Sequence, residues 1–240
     1  AQNIGAINVG TSEATSRLAV ELAEQHDHLW ATVGHHPGYV DDEPYAADAY
    51  RELAAHPRVI GIGECGFDYF RTEKTPEHVA KQTELFRQQI ELAIEFDKPL
   101  MLHLRPSPNT FDAYDEALDL LREYQAAPGG EKLRGDAHFF AGTVEHAHQF
   151  ISLGFMISFT GVVTFADEYA DIIREIPLDK IMCETDAPYV APTPYRGSRC
   201  SPEHVVEVYK KVAEIKGGGE EAMEQLADNA KQFWKLEVRK

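Results

Sequence analysis

Apolar positions along this chain follow two alternating rhythms. Short runs rich in β-branched and small residues read as strands buried on both faces. They are Gly5–Gly10 (GAINVG), Leu29–Gly34 (LWATVG), Val59–Glu64 (VIGIGE), Pro99–Leu104 (PLMLHL), Gly135–Phe139 (GDAHF), Phe155–Thr160 (FMISFT) and Ile181–Asp186 (IMCETD). Between them the apolar period lengthens to that of a helix, predicting helices over Thr11–His26, Pro76–Phe96, Phe111–Gln125 and Glu220–Lys235. In the longest, Val79, Leu85, Phe86, Ile90, Ala93 and Ile94 fall at helical spacing. Thr75-Pro76 and Ser201-Pro202 supply helix starts, with a capping hydroxyl followed by a proline in the first turn.

Strand–helix alternation with continuously apolar strands predicts a parallel sheet covered by helices. No GxGxxG follows the first strand and no GxxxxGK[ST] occurs, so the phosphate-binding marks of open nucleotide-binding sheets are missing. Polar residues recur instead at the C-terminal ends of successive strands, where barrel enzymes assemble their sites. The expectation is an α/β fold of the TIM-type (β/α) barrel, a single domain over residues 1–240. Seven strands against the usual eight predict that one is missing, and the chain opens almost directly on a strand, which places the gap at the N-terminus.

Composition narrows the setting. The 240 residues are 43% hydrophobic and 26% charged, an ordinary globular balance. No apolar run is long enough to span a membrane, and the first twenty residues lack the basic start and apolar middle of a signal peptide. Three cysteines without CxxC spacing predict a reduced, cytoplasmic protein. A net charge of −17 argues against broad, sequence-independent coating of nucleic acid, yet a metal centre can supply local positive charge that the surface lacks.

Glu64, His103, His138 and Asp186 sit at or near predicted strand ends, and closing parallel strands brings such residues to one mouth. Two imidazoles and two carboxylates form a mixed nitrogen–oxygen set suited to Zn, Mn or Mg. A carboxylate ending so apolar a run as RVIGIGE is then neutralised by metal rather than by water. His36, in the rim segment VGHHP, is a candidate substrate contact. Arg105, Arg196 and Arg199 are candidates for holding phosphate oxygens through the planar guanidinium. His26, His28, His56, His78, His146, His148 and His204 fall on helices or their ends, where solvated or packing roles are expected. Cys65 and Cys183 read as small packing residues. Neither a GxSxG elbow nor an HExxH helix is present.

Together these pieces resemble the TatD family of metal-dependent deoxyribonucleases, within the amidohydrolase-like barrels. The matching motifs are INVGTS at 7–12, VGHHP at 33–37, GIGECGFDY at 61–69, HLR at 103–105, HFFAG at 138–142, ETDAPY at 184–189 and PYRGSR at 194–199. They cover essentially the whole chain. The resemblance implies a two-metal phosphodiesterase acting on DNA, expected to work from the 3′ end of single strands. It implies that Glu64 bridges the ions, that His103 and His138 bind one and Asp186 the other, and that Asp186 also orients or deprotonates the attacking water. His36, Arg105 and Arg196 match substrate-side positions. The family's opening HxH motif is missing before Glu64; His26-Asp27-His28 has that spelling but lies at a helix end. That departure predicts weak metal affinity and low activity for these residues alone. Alternatives are a small-molecule amidohydrolase on the same metals and an inactive homologue with a binding role.

Overall fold

The structure is a computed structural model and describes residues 4–71 and 73–236, so the termini of the expected domain lie outside the described residues. The chain forms two compact units, one spanning Gly5–Asp136 and the other beginning at Ala137. Seven strands lie among the described residues, matching the seven apolar runs.

In the first unit the order is β1 (Ala6–Val9), α1 (Glu13–Gln25), β2 (Leu29–Val33), α2 (Ala47–Ala54), β3 (Val59–Asp68), α3 (Pro76–Glu95), β4 (Leu100–Arg105), α4 (Asp112–Gln125) and the start of β5 (Gly135–Ala137). The first four strands pair in parallel, each with the next in sequence. Helix starts follow from local chemistry. Ser12 and Thr15 exchange side-chain and backbone hydrogen bonds at the head of α1, and the Thr75 hydroxyl accepts the His78 amide ahead of α3. Ala31, Val33, Ile62, Phe67, Leu100 and Leu102 are buried, and Phe86 of α3 meets Phe67 edge-on at 5.4 Å. Arg58 closes the α1–β2 connection by donating to the carbonyls of Ala23, His26, Asp27 and Leu29.

Strand β3 departs from its predicted limits. It runs on to Asp68, so Glu64 lies within the strand rather than at its end. Ile62 pairs with Leu100 and Cys65 with Leu102, three steps on one strand against two on the other, which is a bulge at Gly63-Glu64. Beyond it Gly66 pairs with His103 and Asp68 with Arg105. Glycine is required at both turns of this path. Gly66 has φ +136°, and a Cβ there would lie 2.4 Å from the His103 carbonyl oxygen. A Cβ on Gly34 would come within 2.5 Å of the Gly63 carbonyl carbon, so these two segments meet backbone to backbone.

The second unit continues through α5 (Val144–Ser152), β6 (Phe155–Phe159), α6 (Tyr169–Glu175), β7 (Ile181–Cys183), α7 (Val205–Lys216) and α8 (Gly219–Phe233), with β6 and β7 paired in parallel. Phe140, Phe150, Phe155 and Phe159 pack edge-to-face at 5.9–6.4 Å. Asn229 ties α8 down by donating to the carbonyls of Leu178 and Ile181, each at 2.8 Å. β7 stops at Cys183, so Asp186 sits three residues past the strand rather than at its end. Cys65, Cys183 and Cys200 are free thiols in buried positions. Among the described residues no helix is long and apolar enough to cross a membrane.

Candidate metal centres

In the first unit the bulge and the strand period decide what meets. Glu64 and Asp68 are four residues apart on one strand and therefore share a face, and the β3–β4 register puts His103 beside them. His103 Nδ1 lies 2.6 Å from Glu64 Oε1, and its Nε2 lies 3.0 Å from Asp68 Oδ2. Asp68 is fully buried at its side chain, and its Oδ1 accepts the amides of Phe70 and Arg71. Burial works against the charge on Asp68, but His103 and these two amides outweigh it and bring the carboxyl down to about 2. Burial likewise opposes charge on His103, and the attraction of Glu64 and Asp68 overcomes it and raises its pKa. Two adjacent carboxylates thus demand a cation between them, which an imidazolium or a metal ion can provide.

His36 joins this group. Its Nε2 lies 4.0 Å from Glu64 Oε1 and its ring centroid 4.1 Å from that of His103. Burial, reinforced by His103, lowers its pKa to about 4, so the ring is neutral near pH 7. The Gly38 amide donates to its Nδ1 at 2.9 Å, which leaves the ring proton on Nε2. His36 therefore faces the cluster with a donor. This suits a contact to an anionic oxygen better than ligation, although ligand atoms of His36, Asp68 and His103 all lie within 4.8 Å of one another.

The second unit carries its own group. His138 Nδ1 is hydrogen-bonded to Glu184 Oε2, and the other oxygen of Glu184 accepts the Phe139 amide at 2.7 Å. His138 Nε2 lies 3.8 Å from Asp186 Oδ1. A carboxylate holding the far nitrogen of a histidine fixes the tautomer and presents the near nitrogen as a lone pair, the usual support of a metal-bound imidazole.

Donors bound to one ion at about 2.0–2.2 Å lie about 3–4 Å from each other. The 3.0 Å separation of His103 Nε2 and Asp68 Oδ2, and the 3.8 Å separation of His138 Nε2 and Asp186 Oδ1, both fit. The structure thus brings Glu64 to His103 in one unit and His138 to Asp186 in the other. Asp68 and Glu184 were missed from sequence. Even spacing from Glu64 along a strand was the available signal for Asp68; for Glu184 it was a carboxylate two residues from a candidate ligand.

The arginines are placed beside aromatics. Arg105 holds its guanidinium carbon 4.0 Å from the centroid of the exposed Phe70 ring. Arg196 stands 3.8 Å from the Phe165 ring and donates to the Ala191 carbonyl at 3.0 Å. Arg199 lies in the exposed loop after Arg196. His26 and His28 flank the α1–β2 turn and are exposed.

Comparison with known proteins gives a consistent result. The model of the TatD related DNase family matches residues 1–235. The metal-dependent hydrolase YabD of Bacillus subtilis is 35% identical over 235 residues, 95% of this chain and 86% of that protein. The 3′-5′ ssDNA/RNA exonuclease TatD of Escherichia coli is 34% identical over 224 residues, 89% of this chain and 80% of that protein. Among solved structures, the TatD homologue YJJV of Escherichia coli superposes with a TM-score of 0.84 at 24% identity, covering 96% of this chain and 86% of that one. That likeness shows the fold, an α/β fold of the TIM-type barrel class, as the strand–helix alternation predicts.

Proposed function

Since this chain belongs to the TatD related DNase family of metal-dependent hydrolases, we propose that it hydrolyses phosphodiester bonds of single-stranded DNA from the 3′ end. The activity named for the Escherichia coli relative supports the substrate class, and the absence of CxxC spacing or a complete pairing among the three free cysteines supports a reducing, cytoplasmic setting. The observation that carries the reading is the support of His138 by Glu184, because a histidine locked in that tautomer beside an aspartate is built for a divalent cation.

Glu64, Asp68 and His103 would hold an ion in the first unit, and His138 and Asp186 one in the second; two ions, Mg, Mn or Zn, complete the set. A bound divalent ion supplies Lewis-acid charge and brings water toward ionisation near neutral pH. The chain's own groups do the rest. Asp186 takes a proton from the attacking water as its oxygen adds to phosphorus. The P–O3′ bond breaks with its electron pair left on O3′, which takes a proton from a solvent water, while Asp186 releases the proton it took back to solvent. In the first unit His36 would donate its Nε2–H to an anionic oxygen and Arg105, held against Phe70, would offer its guanidinium to phosphate; in the second, Arg196, held against Phe165, would do the same.

The test is cleavage of a 5′-labelled single-stranded oligonucleotide with Mg²⁺ or Mn²⁺, and with chelator. Chelation is expected to stop cleavage, and Glu64→Ala and Asp186→Asn to lower it at least a hundredfold in folded protein. Undiminished cleavage in either variant rejects the mechanism. Arg105→Ala is expected to raise KM for DNA; if it leaves DNA cleavage unaffected while the protein hydrolyses a neutral cyclic amide, the small-molecule alternative prevails.

A further inference from the structure

The buried stripe of α3 is not wholly apolar. His78, Gln82 and Gln89 lie on it with Leu85, Phe86 and Ile90, and both glutamines are completely buried. Burying an amide is costly unless every polar atom is paired. Gln82 meets that demand on the backbone of Asp68. Its Oε1 accepts the Asp68 N–H at 2.9 Å and its Nε2 donates to the Asp68 carbonyl at 2.9 Å. Only one orientation of the amide satisfies both, because the flipped form sets donor against donor and acceptor against acceptor.

That orientation propagates outward. Gln82 Nε2 also lies 2.6 Å from His78 Nε2. Since the amide nitrogen is a donor, His78 Nε2 must be the acceptor, and the ring proton must sit on Nδ1. His78 Nδ1 lies 3.2 Å from Asp41 Oδ2, which can take it. The other oxygen of Asp41 accepts from Lys81 Nζ at 2.8 Å, and this bond keeps the exposed carboxyl ionised. Asp41, His78 and Gln82 therefore form one chain of hydrogen bonds with a single consistent proton arrangement. It runs from solvent to the main chain of Asp68, whose carboxylate reaches His103.

We propose that Gln82, oriented by His78 and Asp41, is a positioning residue for Asp68, fixing the direction in which this carboxylate meets a metal ion. The inference rests on the reading that Asp68 and His103 hold such an ion. Groups that orient a ligand without touching the metal typically change affinity 10–100-fold when removed. A helix that merely packed there would transmit no such effect.

Two measurements decide it, with Co²⁺ alone as the probe. First, nitrogen shifts of the His78 imidazole in the wild-type protein near neutral pH are expected to show the Nδ1–H tautomer. The Nε2–H tautomer overturns the proposal, whatever the fate of any variant. Second, Co²⁺ is titrated into wild type, Asp68→Asn, Gln82→Met and Leu85→Ala. Asp68→Asn identifies the binding step of the first unit. Gln82→Met is expected to weaken that step 10–100-fold and to expose the Asp68 amide to exchange, while Leu85→Ala, which loosens the same helix, leaves it within twofold. Affinity within twofold in Gln82→Met, where Asp68→Asn is weakened, overturns the positioning role alone. If Asp68→Asn itself changes nothing, the metal reading of this cluster fails and the inference with it.

Discussion

Replacing Glu184 by glutamine changes one atom and removes one charge, yet the structure leaves the amide no good orientation. In one, its oxygen keeps the Phe139 amide and its NH₂ confronts His138 Nδ1–H. The ring must then move its proton to Nε2, turning the candidate metal-facing lone pair into a donor. In the other, the oxygen keeps His138 Nδ1–H and the NH₂ confronts the Phe139 amide, now unpaired. Loss of a hydrogen bond to a charged acceptor costs about 1.5–3 kcal/mol of stability. Loss of the supporting carboxylate is expected to weaken metal binding 10–100-fold, about 1.4–2.7 kcal/mol. Glu184→Asp, one methylene shorter, cannot span both donors and should fall between wild type and glutamine. The assay is Co²⁺ titration followed by visible absorption and calorimetry, with urea unfolding of the metal-free proteins alongside. Affinity of Glu184→Gln within twofold of wild type would refute the reasoning that His138 is a tautomer-locked ligand.

Gly66→Ala must place a methyl 2.4 Å from the His103 carbonyl at φ +136°, and should cost about 3 kcal/mol or more, lowering Tm by roughly 6–12 °C. Gly197→Ala, at φ +84° with no atom within 4 Å of the new carbon, should cost only about 1–2 kcal/mol; equal losses at the two sites would contradict the steric argument. Burial disfavours the charge on Asp112, but Lys74 and Ser107 hold its pKa well below the usual carboxylate range. Its folded value lies below its unfolded one, so its stabilisation is present above about pH 4 and lost as pH falls further. Urea midpoints at pH 3 and pH 6 should therefore differ less in Asp112→Asn than in wild type. Arg58→Lys cannot serve four carbonyls with one ammonium and should lose about 1–3 kcal/mol by thermal unfolding; a loss below about 0.5 would show that the α1–β2 turn holds without the guanidinium fork.

Strands and long helices were legible because burial imposes a period on the sequence. Helix α3 was predicted over Pro76–Phe96 and forms over Pro76–Glu95. Its buried face was less legible. Apolar spacing selected Val79 and Ile94, whereas the stripe also takes Gln82 and Gln89, which pair with the backbones of Asp68 and His35, and His78, which pairs with the Asp41 and Gln82 side chains. Glu64, His103, His138 and Asp186 stood out as polar endings of apolar runs. Asp68 did not, because apolar spacing gives no sign that β3 bulges and continues past Glu64. Glu184 was hidden by its neighbour Asp186: the partner that distinguishes it, His138, is 46 positions away.

The back-to-back approach of Gly34 and Gly63 limits how these two segments can evolve. No side chain intervenes between the segment leading to His36 and the one leading to Glu64, so no rotamer or methylene can adjust their spacing. Most enzymes drift by trading a little volume at a time in the packing beneath a site. Here the gap is set by van der Waals contact between two main chains, and variation must come from what His36 and Glu64 themselves are, or from wholesale rebuilding of both segments.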